Sequence, residues 1–261
     1  MSVGVEVVDH VAVVELQAPP HNFFTASLVE AVADALHSFE DDHRVRAAVL
    51  CAQGRSFCAG ANFTSDDGPV GDGSSDEPVG GPTTQRLYAA AARLCEVAIP
   101  FVAAVQGPAI GGGLGLAMTA NLRVCSPEAR FSANFAALGI HQGFGLSVLL
   151  PEQLGPSKAA EVLLTARRYT GEEAVALGLA DRCVPADHLR EAAMELAAQI
   201  AVNAPLAVRA INRTLRQGLA DRVRAATEHE AALQRELSAT ADAAEGIRAV
   251  TERRPGNFTG T

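Results

Sequence analysis

Residues 107–117 read Gly-Pro-Ala-Ile-Gly-Gly-Gly-Leu-Gly-Leu-Ala and follow the apolar run Phe101–Val105. The apolar run predicts a buried strand, and the glycines predict a tight turn that leads into a helix starting near Gly112. The first amides of such a helix have no partner within it, and they attract an anion or an enolate oxygen. Residues 99–120 carry no charge over a membrane-spanning length, but their prolines and glycines predict strand, turn and helix instead.

The residues before this stretch predict a β-α-β arrangement. Residues 5–16 favour two short strands around Asp9 and His10, and the apolar positions of residues 28–39 recur at helical spacing. Residues 47–51 then form another apolar strand. Strands that alternate with helices predict a largely parallel sheet, whose ligands bind beyond the carboxyl ends of the strands. The loops after Cys51 and Val105 are therefore the candidate site.

The loop after Cys51 is rich in small residues, reading Gly-Arg-Ser-Phe-Cys-Ala-Gly-Ala-Asn over residues 54–62. Small residues let a ligand approach the backbone closely. Residues 63–84 are mostly Asp, Gly, Ser, Pro and Thr, a composition that predicts a mobile surface loop or lid. The alternative is an insertion without a role, which would leave its carboxylates as solvated charges: Asp66, Asp67, Asp72, Asp76 and Glu77.

Composition excludes several classes of function. The chain has 261 residues, is 48% hydrophobic and carries a net charge of -9, so it is long enough for a sizeable core and repels nucleic acid and anionic membranes at a distance. Its 5 cysteines lack the spacing of a zinc site or a disulfide framework, and no metal is expected. The amino terminus lacks the features of a secretory signal, so a cytoplasmic location is expected.

The two glycine-containing loops together resemble the signature loops of the crotonase (enoyl-CoA hydratase/isomerase) family. These are residues 56–62 and 107–117, and the likeness continues through residues 121–131, 164–168, 184–185 and 253–258. The resemblance implies an α/β spiral of repeated ββα units over residues 1–200 and a helical trimerisation region over residues 201–261. It also implies homotrimers or hexamers and an acyl-CoA substrate, with no cofactor beyond the coenzyme A of the thioester.

The resemblance also implies a set of site residues. The backbone amides of Ala61 and Gly112 match the oxyanion hole, which holds the thioester oxygen as negative charge develops on it. Cys58 lies within the first loop and is expected to contribute backbone rather than a nucleophilic thiol. The positions expected to bind substrate are His21, Ala59, Asn62, Phe63, Gly111, Asn134, Phe135, Gly143 and Phe258.

The sequence departs from the family pattern at each acid-base position. Gly115 and Phe135 stand where hydratases carry their two glutamates, and Gly143 stands where some isomerases and dehalogenases carry an acid. Because general acid-base catalysis contributes about 100- to 10,000-fold, two-carboxylate hydration is disfavoured. His141 is the candidate replacement, since histidine titrates in the useful range. The alternative is that His141 caps a helix or binds a backbone carbonyl.

Three functional hypotheses follow from this departure. The first is a hydratase or isomerase in which His141 or a lid carboxylate replaces the missing acids. The second is a different crotonase reaction, such as decarboxylation or hydrolysis. The third is a protein that binds acyl-CoA without turning it over. Asn134 adjoins the pocket by position but cannot act as a base, and His21 and Asn22 either border the coenzyme A or form an exposed turn.

The remaining pattern is structural. Residues 170–173 have the spacing of a capping box for a helix that Gly178 would end. Residues 186–202, 205–217 and 222–237 favour amphipathic helices, which would pack as a bundle against a neighbouring subunit.

Overall fold

The computed structural model describes residues 2–63 and 81–261. Most of the polar segment predicted as a loop or lid, with Asp66, Asp67, Asp72, Asp76 and Glu77, lies outside these residues. The last part of that prediction is wrong, because a helix already begins at Pro82. Proline suits the first turn of a helix, where no backbone donor is needed.

A large sheet forms the centre of the molecule. Within the described ranges it has six strands in the order β1-β2-β3-β4-β6-β9. Its strands are β1 Val3–Val8, β2 Val11–Leu16, β3 Ala47–Ala52, β4 Phe101–Val105, β6 Leu122–Cys125 and β9 Arg182–Cys183. β1 pairs antiparallel with β2, and every other pairing is parallel. The prediction of a largely parallel sheet is confirmed.

Both faces of the central strands β2, β3 and β4 are buried, which explains why these strands are apolar without alternation, whereas most of the edge strand β1 is exposed. Ala12, Val14 and Leu16 face one core, which contains residues of helices α1 and α2. Val11 and Val13 face the other core, which helix α7 covers. The helices are α1 Ala26–His37, α2 Pro82–Glu96, α3 Gly112–Met118, α4 Leu146–Leu154, α5 Pro156–Thr165, α6 Gly171–Leu177, α7 Leu189–Ala201, α8 Pro205–Leu215, α9 Leu219–Ser238 and α10 Ala241–Glu252.

A smaller sheet stands beside the large one and creates the ββα repeat. In the described part of the chain its order is β5-β7-β8, with β5 at Pro108–Ile110, β7 at Arg130–Ser132 and β8 at Tyr169–Thr170. β4 of the large sheet leads through β5 of the small sheet to α3, and β6 leads through β7 to α4. The sequence analysis did not predict β5, which lies within the glycine-rich turn.

The carboxyl-terminal helices pack onto the core. Val223 and Ala231 of α9 belong to the same buried cluster as Leu87 of α2, and α10 packs on a short 3-10 helix over Ala136–Leu138. The capping box of Thr170 and Glu173 is confirmed, and Gly178 ends α6 in the left-handed conformation. α10 was not predicted, and assembly into trimers or hexamers stays a prediction. No helix among the described residues is long and apolar enough to span a membrane.

Candidate active site

The two glycine-containing loops are joined by a short parallel bridge between Cys58 and Ala109. The Cys58 amide donates to the carbonyl of Pro108 at 3.0 Å, and the Ile110 amide donates to the carbonyl of Cys58 at 3.1 Å. Only glycine fits at position 113, because a Cβ there would lie 2.1 Å from the Cys58 oxygen. The loops therefore run side by side from the bridged pair onward.

Ala61 lies three positions after Cys58, and Gly112 lies three positions after Ala109. Both residues line one cavity of about 840 Å³. Gly112 is the first residue of α3, so its amide has no partner within that helix. Among the described residues, no hydrogen bond uses the amide of Ala61 or of Gly112. Two amide donors on one cavity wall can stabilise an oxygen that gains negative charge.

Asn22 holds the first loop in place. Its side chain is fully buried, accepts from the Ala18 amide at 2.9 Å, and donates to the carbonyls of Gln53 and Ser56 at 2.7 and 2.8 Å. The Ala59 amide then donates to the His21 carbonyl at 3.0 Å. Asn22 thus forms a structural turn, while its neighbour His21 reaches the cavity.

Most of the predicted binding positions meet at the cavity, although three predicted residues do not. The lining contains His21, Ala59, Phe63, Gly111, Asn134, Phe135 and Gly143, together with Ala61 and Gly112. Asn62, His141 and Phe258 are not part of the lining. The Phe258 ring is 44% exposed and lies over Gly256, where it would meet a Cβ at 2.4 Å. The expectation that Phe258 reaches the acyl site therefore has no support in this chain alone.

His141 does not line the cavity, although Ile140 and Gly143 on either side of it do. Its Nδ1 lies 2.8 Å from the backbone oxygen of Gln142, and its ring faces His229 at a centroid distance of 6.2 Å. The backbone oxygen of His141 accepts a hydrogen bond from Gln234. This geometry favours the alternative in which His141 binds a backbone carbonyl, and a catalytic role for His141 stays a prediction.

Aromatic side chains fill the space beside Gly115 and Gly143. A Cβ on Gly115 would lie 2.6 Å from the Phe144 ring, and a Cβ on Gly143 would lie 2.0 Å from the Tyr88 hydroxyl. The Phe144 ring meets Phe24 edge to face, with centroids 4.9 Å apart. In the described ranges, no Asp or Glu side chain lines the cavity. The space beside both glycines is therefore closed by aromatic side chains.

Four arginines line the same cavity: Arg130, Arg168, Arg253 and Arg254. They supply local positive charge in a chain of net charge -9. This cluster was not predicted, because its members come from distant segments that only the fold brings together. The lining residues Phe24, Tyr88 and Gln234 were not predicted either.

Cys58 is not placed as a nucleophile. Its side chain is fully buried, and burial raises the pKa of the thiol to about 12. The reactive thiolate is therefore scarce at neutral pH. Cys58 contributes through its backbone, which pairs the two loops.

The comparisons with known proteins agree with this fold. The family model described as enoyl-CoA hydratase/isomerase matches residues 6–261. A carnitinyl-CoA dehydratase of Proteus mirabilis (strain HI4320) is 36% identical over 203 residues, covering 77% of this chain and 75% of that protein. The enoyl-CoA hydratase EchA19 of Mycobacterium tuberculosis (strain ATCC 25618 / H37Rv) is 31% identical over 251 residues, covering 95% and 93%.

A solved structure shows the same architecture. The enoyl-CoA hydratase/isomerase from Pseudoalteromonas atlantica T6c aligns with a TM-score of 0.84 and 30% identity, covering 99% of this chain and 100% of that chain. The fold is thus the crotonase fold, an α/β spiral of ββα units followed by helices. The chain belongs to the enoyl-CoA hydratase/isomerase (crotonase) family and is an enzyme of that family.

Proposed function

We propose that this enzyme binds an acyl-CoA thioester and stabilises the enolate of its acyl group with the amides of Ala61 and Gly112. The proposal is carried by these two amides, which have no hydrogen-bond partner among the described residues. The bridge between Cys58 and Ala109 holds their loops side by side, and both residues line one cavity. Each such donor contributes about 2.7 to 4 kcal/mol to a transition state that bears an oxyanion.

The cavity has the charge and surface that this ligand needs. Arg130, Arg168 and Arg253 supply positive charge for the phosphates of coenzyme A, whereas Arg254 is paired with Glu245 and Glu252. The rings of Phe24, Phe135 and Phe144 supply an apolar environment for the acyl chain. In such an environment a hydrogen bond to a developing charge is stronger than in water.

The test uses the infrared absorption of an isotope-labelled thioester carbonyl in butyryl-CoA. On binding to the wild-type enzyme, the carbonyl stretch should move to lower frequency, because two donors polarise the bond. Ala61→Pro removes one donor and should reverse much of this shift, while Ala61→Gly keeps the amide and should retain it. Binding without a shift would overturn the oxyanion hole, and the absence of binding would overturn the thioester substrate.

A second candidate concerns the reaction, and decarboxylation of a malonyl-type thioester is the one that the cavity favours. No carboxylate lines the cavity in the described residues, and aromatic groups fill the space beside Gly115 and Gly143. Decarboxylation needs no base, because the bond between the α-carbon and the carboxylate breaks, carbon dioxide leaves and the electron pair enters the enolate. Water then supplies the proton at the α-carbon.

Crotonyl-CoA and malonyl-CoA separate the reactions. Decarboxylation predicts carbon dioxide and acetyl-CoA from malonyl-CoA, with a rate that Ala61→Pro lowers about 100- to 1,000-fold. Loss of the enoyl absorbance of crotonyl-CoA without release of carbon dioxide would instead establish hydration. If neither substrate reacts while butyryl-CoA binds, decarboxylation is contradicted and a carrier role is favoured.

A further inference from the structure

Asn134 is a polar side chain of the cavity lining that the described part of the chain does not engage. Its carboxamide makes no hydrogen bond within that part, whereas several other polar side chains of the lining are paired. His21 Nδ1 lies 3.4 Å from the Ser56 hydroxyl, and the Tyr88 hydroxyl donates to Gln234 at 2.7 Å. A carboxamide has two N–H donors. The donors of Asn134 are therefore available to a ligand.

The pairing of β5 with β7 places Asn134 beside the proposed oxyanion hole. The Gly111 amide donates to the Ser132 carbonyl at 2.8 Å, so the residues that follow these two parallel strands lie side by side. A Cβ on Gly111 would lie 3.2 Å from Asn134 Oδ1. The next residue is Gly112, whose amide is one of the two proposed donors. Asn134 therefore lies close to the proposed position of the thioester carbonyl.

The donor end of the carboxamide is turned away from Gly111. Asn134 Oδ1 lies 3.2 Å from the Cβ position of that glycine, whereas Nδ2 lies beyond 4 Å from it. The hydrogens of Nδ2 have no acceptor among the described residues. A ligand group that meets this end of Asn134 must accept a hydrogen bond.

The charge of the surroundings favours a carboxylate as this group. No Asp or Glu of the described ranges lines the cavity, so no fixed negative charge there repels an anionic acyl group. Arg130, at the start of β7, lines the same cavity and adds positive charge. A carboxylate is purely an acceptor of hydrogen bonds, which matches the free donors of Asn134.

We infer that Asn134 is a specificity-determining residue whose Nδ2 donates to a carboxylate on the α-carbon of the acyl group. The substrate class is thus a malonyl-type acyl-CoA. The α-carbon is the relevant position because it is bonded to the carbonyl carbon, and Asn134 lies beside the proposed site of that carbonyl. The inference rests on the proposed function, since it requires an acyl-CoA whose carbonyl lies at the two amides.

The neutral charge of Asn134 suits a carboxylate that leaves as carbon dioxide. An arginine in its place would hold the carboxylate in an ion pair, and that stabilisation would be lost as the charge moves into the enolate. A neutral hydrogen bond is weaker than a bond between two charged groups. Asn134 therefore orients the carboxylate without strongly opposing cleavage of its bond to the α-carbon.

The test compares the binding of sulfoacetyl-CoA with that of butyryl-CoA. Sulfoacetyl-CoA carries on its α-carbon a sulfonate, an anion that cannot leave as carbon dioxide, whereas the acyl group of butyryl-CoA is neutral. The wild-type enzyme should bind the two ligands with similar dissociation constants. Asn134→Leu keeps the volume of the side chain and removes its donors. It should weaken the binding of sulfoacetyl-CoA about 10-fold and leave that of butyryl-CoA unchanged.

Two further variants test the charge and the location. Asn134→Asp places a carboxylate opposite the sulfonate, so it should weaken sulfoacetyl-CoA relative to butyryl-CoA by more than Asn134→Leu does. Thr84→Val is the matched control, because it alters another side chain of the lining, on α2. It should leave the ratio of the two dissociation constants unchanged.

Two results would overturn the inference. One is equal weakening of both ligands by Asn134→Leu, which a purely structural role predicts. The other is wild-type binding of sulfoacetyl-CoA that is more than about 10-fold weaker than that of butyryl-CoA, as expected for an anion buried without a partner. In both cases butyryl-CoA still binds, so the proposed function survives. Failure of both ligands to bind the wild-type enzyme would contradict the proposed function, and the inference with it.

Discussion

Two walls of the cavity present different parts of the chain. The amide wall consists of Ala61 and Gly112, whose backbone amides are the proposed donors. A backbone amide does not depend on the identity of the side chains near it. The aromatic wall consists of Phe24, Tyr88, Phe135 and Phe144, and its side chains occupy the space beside Gly115 and Gly143. A backbone site depends on how two loops pair, whereas a side-chain site is lost with a single substitution.

The difference explains how one fold can change its reaction while keeping its substrate class. The amide wall is tied to glycines that pack against backbone, so its geometry is coupled to the stability of the fold. The aromatic wall is assembled from side chains that contact one another, as the rings of Phe24 and Phe144 do. We therefore expect perturbation of the first wall to unfold or inactivate the enzyme, and perturbation of the second to alter its selectivity.

Gly113→Ala should have the largest effect on the amide wall. The new Cβ would lie 2.1 Å from the Cys58 oxygen, and a backbone atom cannot move aside cheaply. We expect a loss of about 3 kcal/mol in the free energy of unfolding, measured by denaturant titration, together with loss of butyryl-CoA binding. Gly4→Ala is the matched control, because its Cβ would meet only the flexible end of Gln17. Equal stability of the two variants would contradict the role of the paired loops.

The coupling between Gly115 and Phe144 tests the aromatic wall. Gly115→Ala should cost about 2 kcal/mol in the wild-type background, because its Cβ would lie 2.6 Å from the Phe144 ring. In the Phe144→Gly background the ring is gone, and the same change should cost about 1 to 2 kcal/mol less. A double-mutant cycle of unfolding free energies measures this coupling. Additive costs would show that Phe144 does not control the space beside Gly115.

The Glu245 carboxylate pairs with Arg254, which lines the cavity, and should respond to acid. The Arg254 guanidinium and the Asn257 amide lower the pKa of Glu245 from 4.5 to about 2. A lowered pKa means that this carboxylate stabilises the folded chain above pH 4.5 and loses that contribution as the pH falls toward about 2. The difference in melting temperature between wild type and Glu245→Gln should therefore shrink over this range. A difference that does not vary with pH would contradict the assignment.

The sequence predicted the amide wall better than the aromatic wall, for a physical reason. The strand Phe101–Val105 and the start of α3 at Gly112 follow from local pattern, and both agree with the structure. The Tyr88 and Gln234 pair joins residues 146 positions apart, so no local signal announces it. The helix Ala241–Glu252 was missed because the residues that recur on its buried face, Ala243, Gly246 and Ala249, are too small to stand out as an apolar stripe.

His141 shows that the sequence alone could not predict the direction of a side chain. A histidine in a glycine-rich loop opposite the missing acids has suitable chemistry, but the turn directs its Nδ1 to the neighbouring Gln142 carbonyl instead of the cavity. His141→Ala should therefore have the smallest effect on activity, well below the ~100-fold loss that removal of a general acid or base causes. The rate with malonyl-CoA and with crotonyl-CoA measures it. A loss of that size would contradict this expectation and would support His141 as a general acid or base.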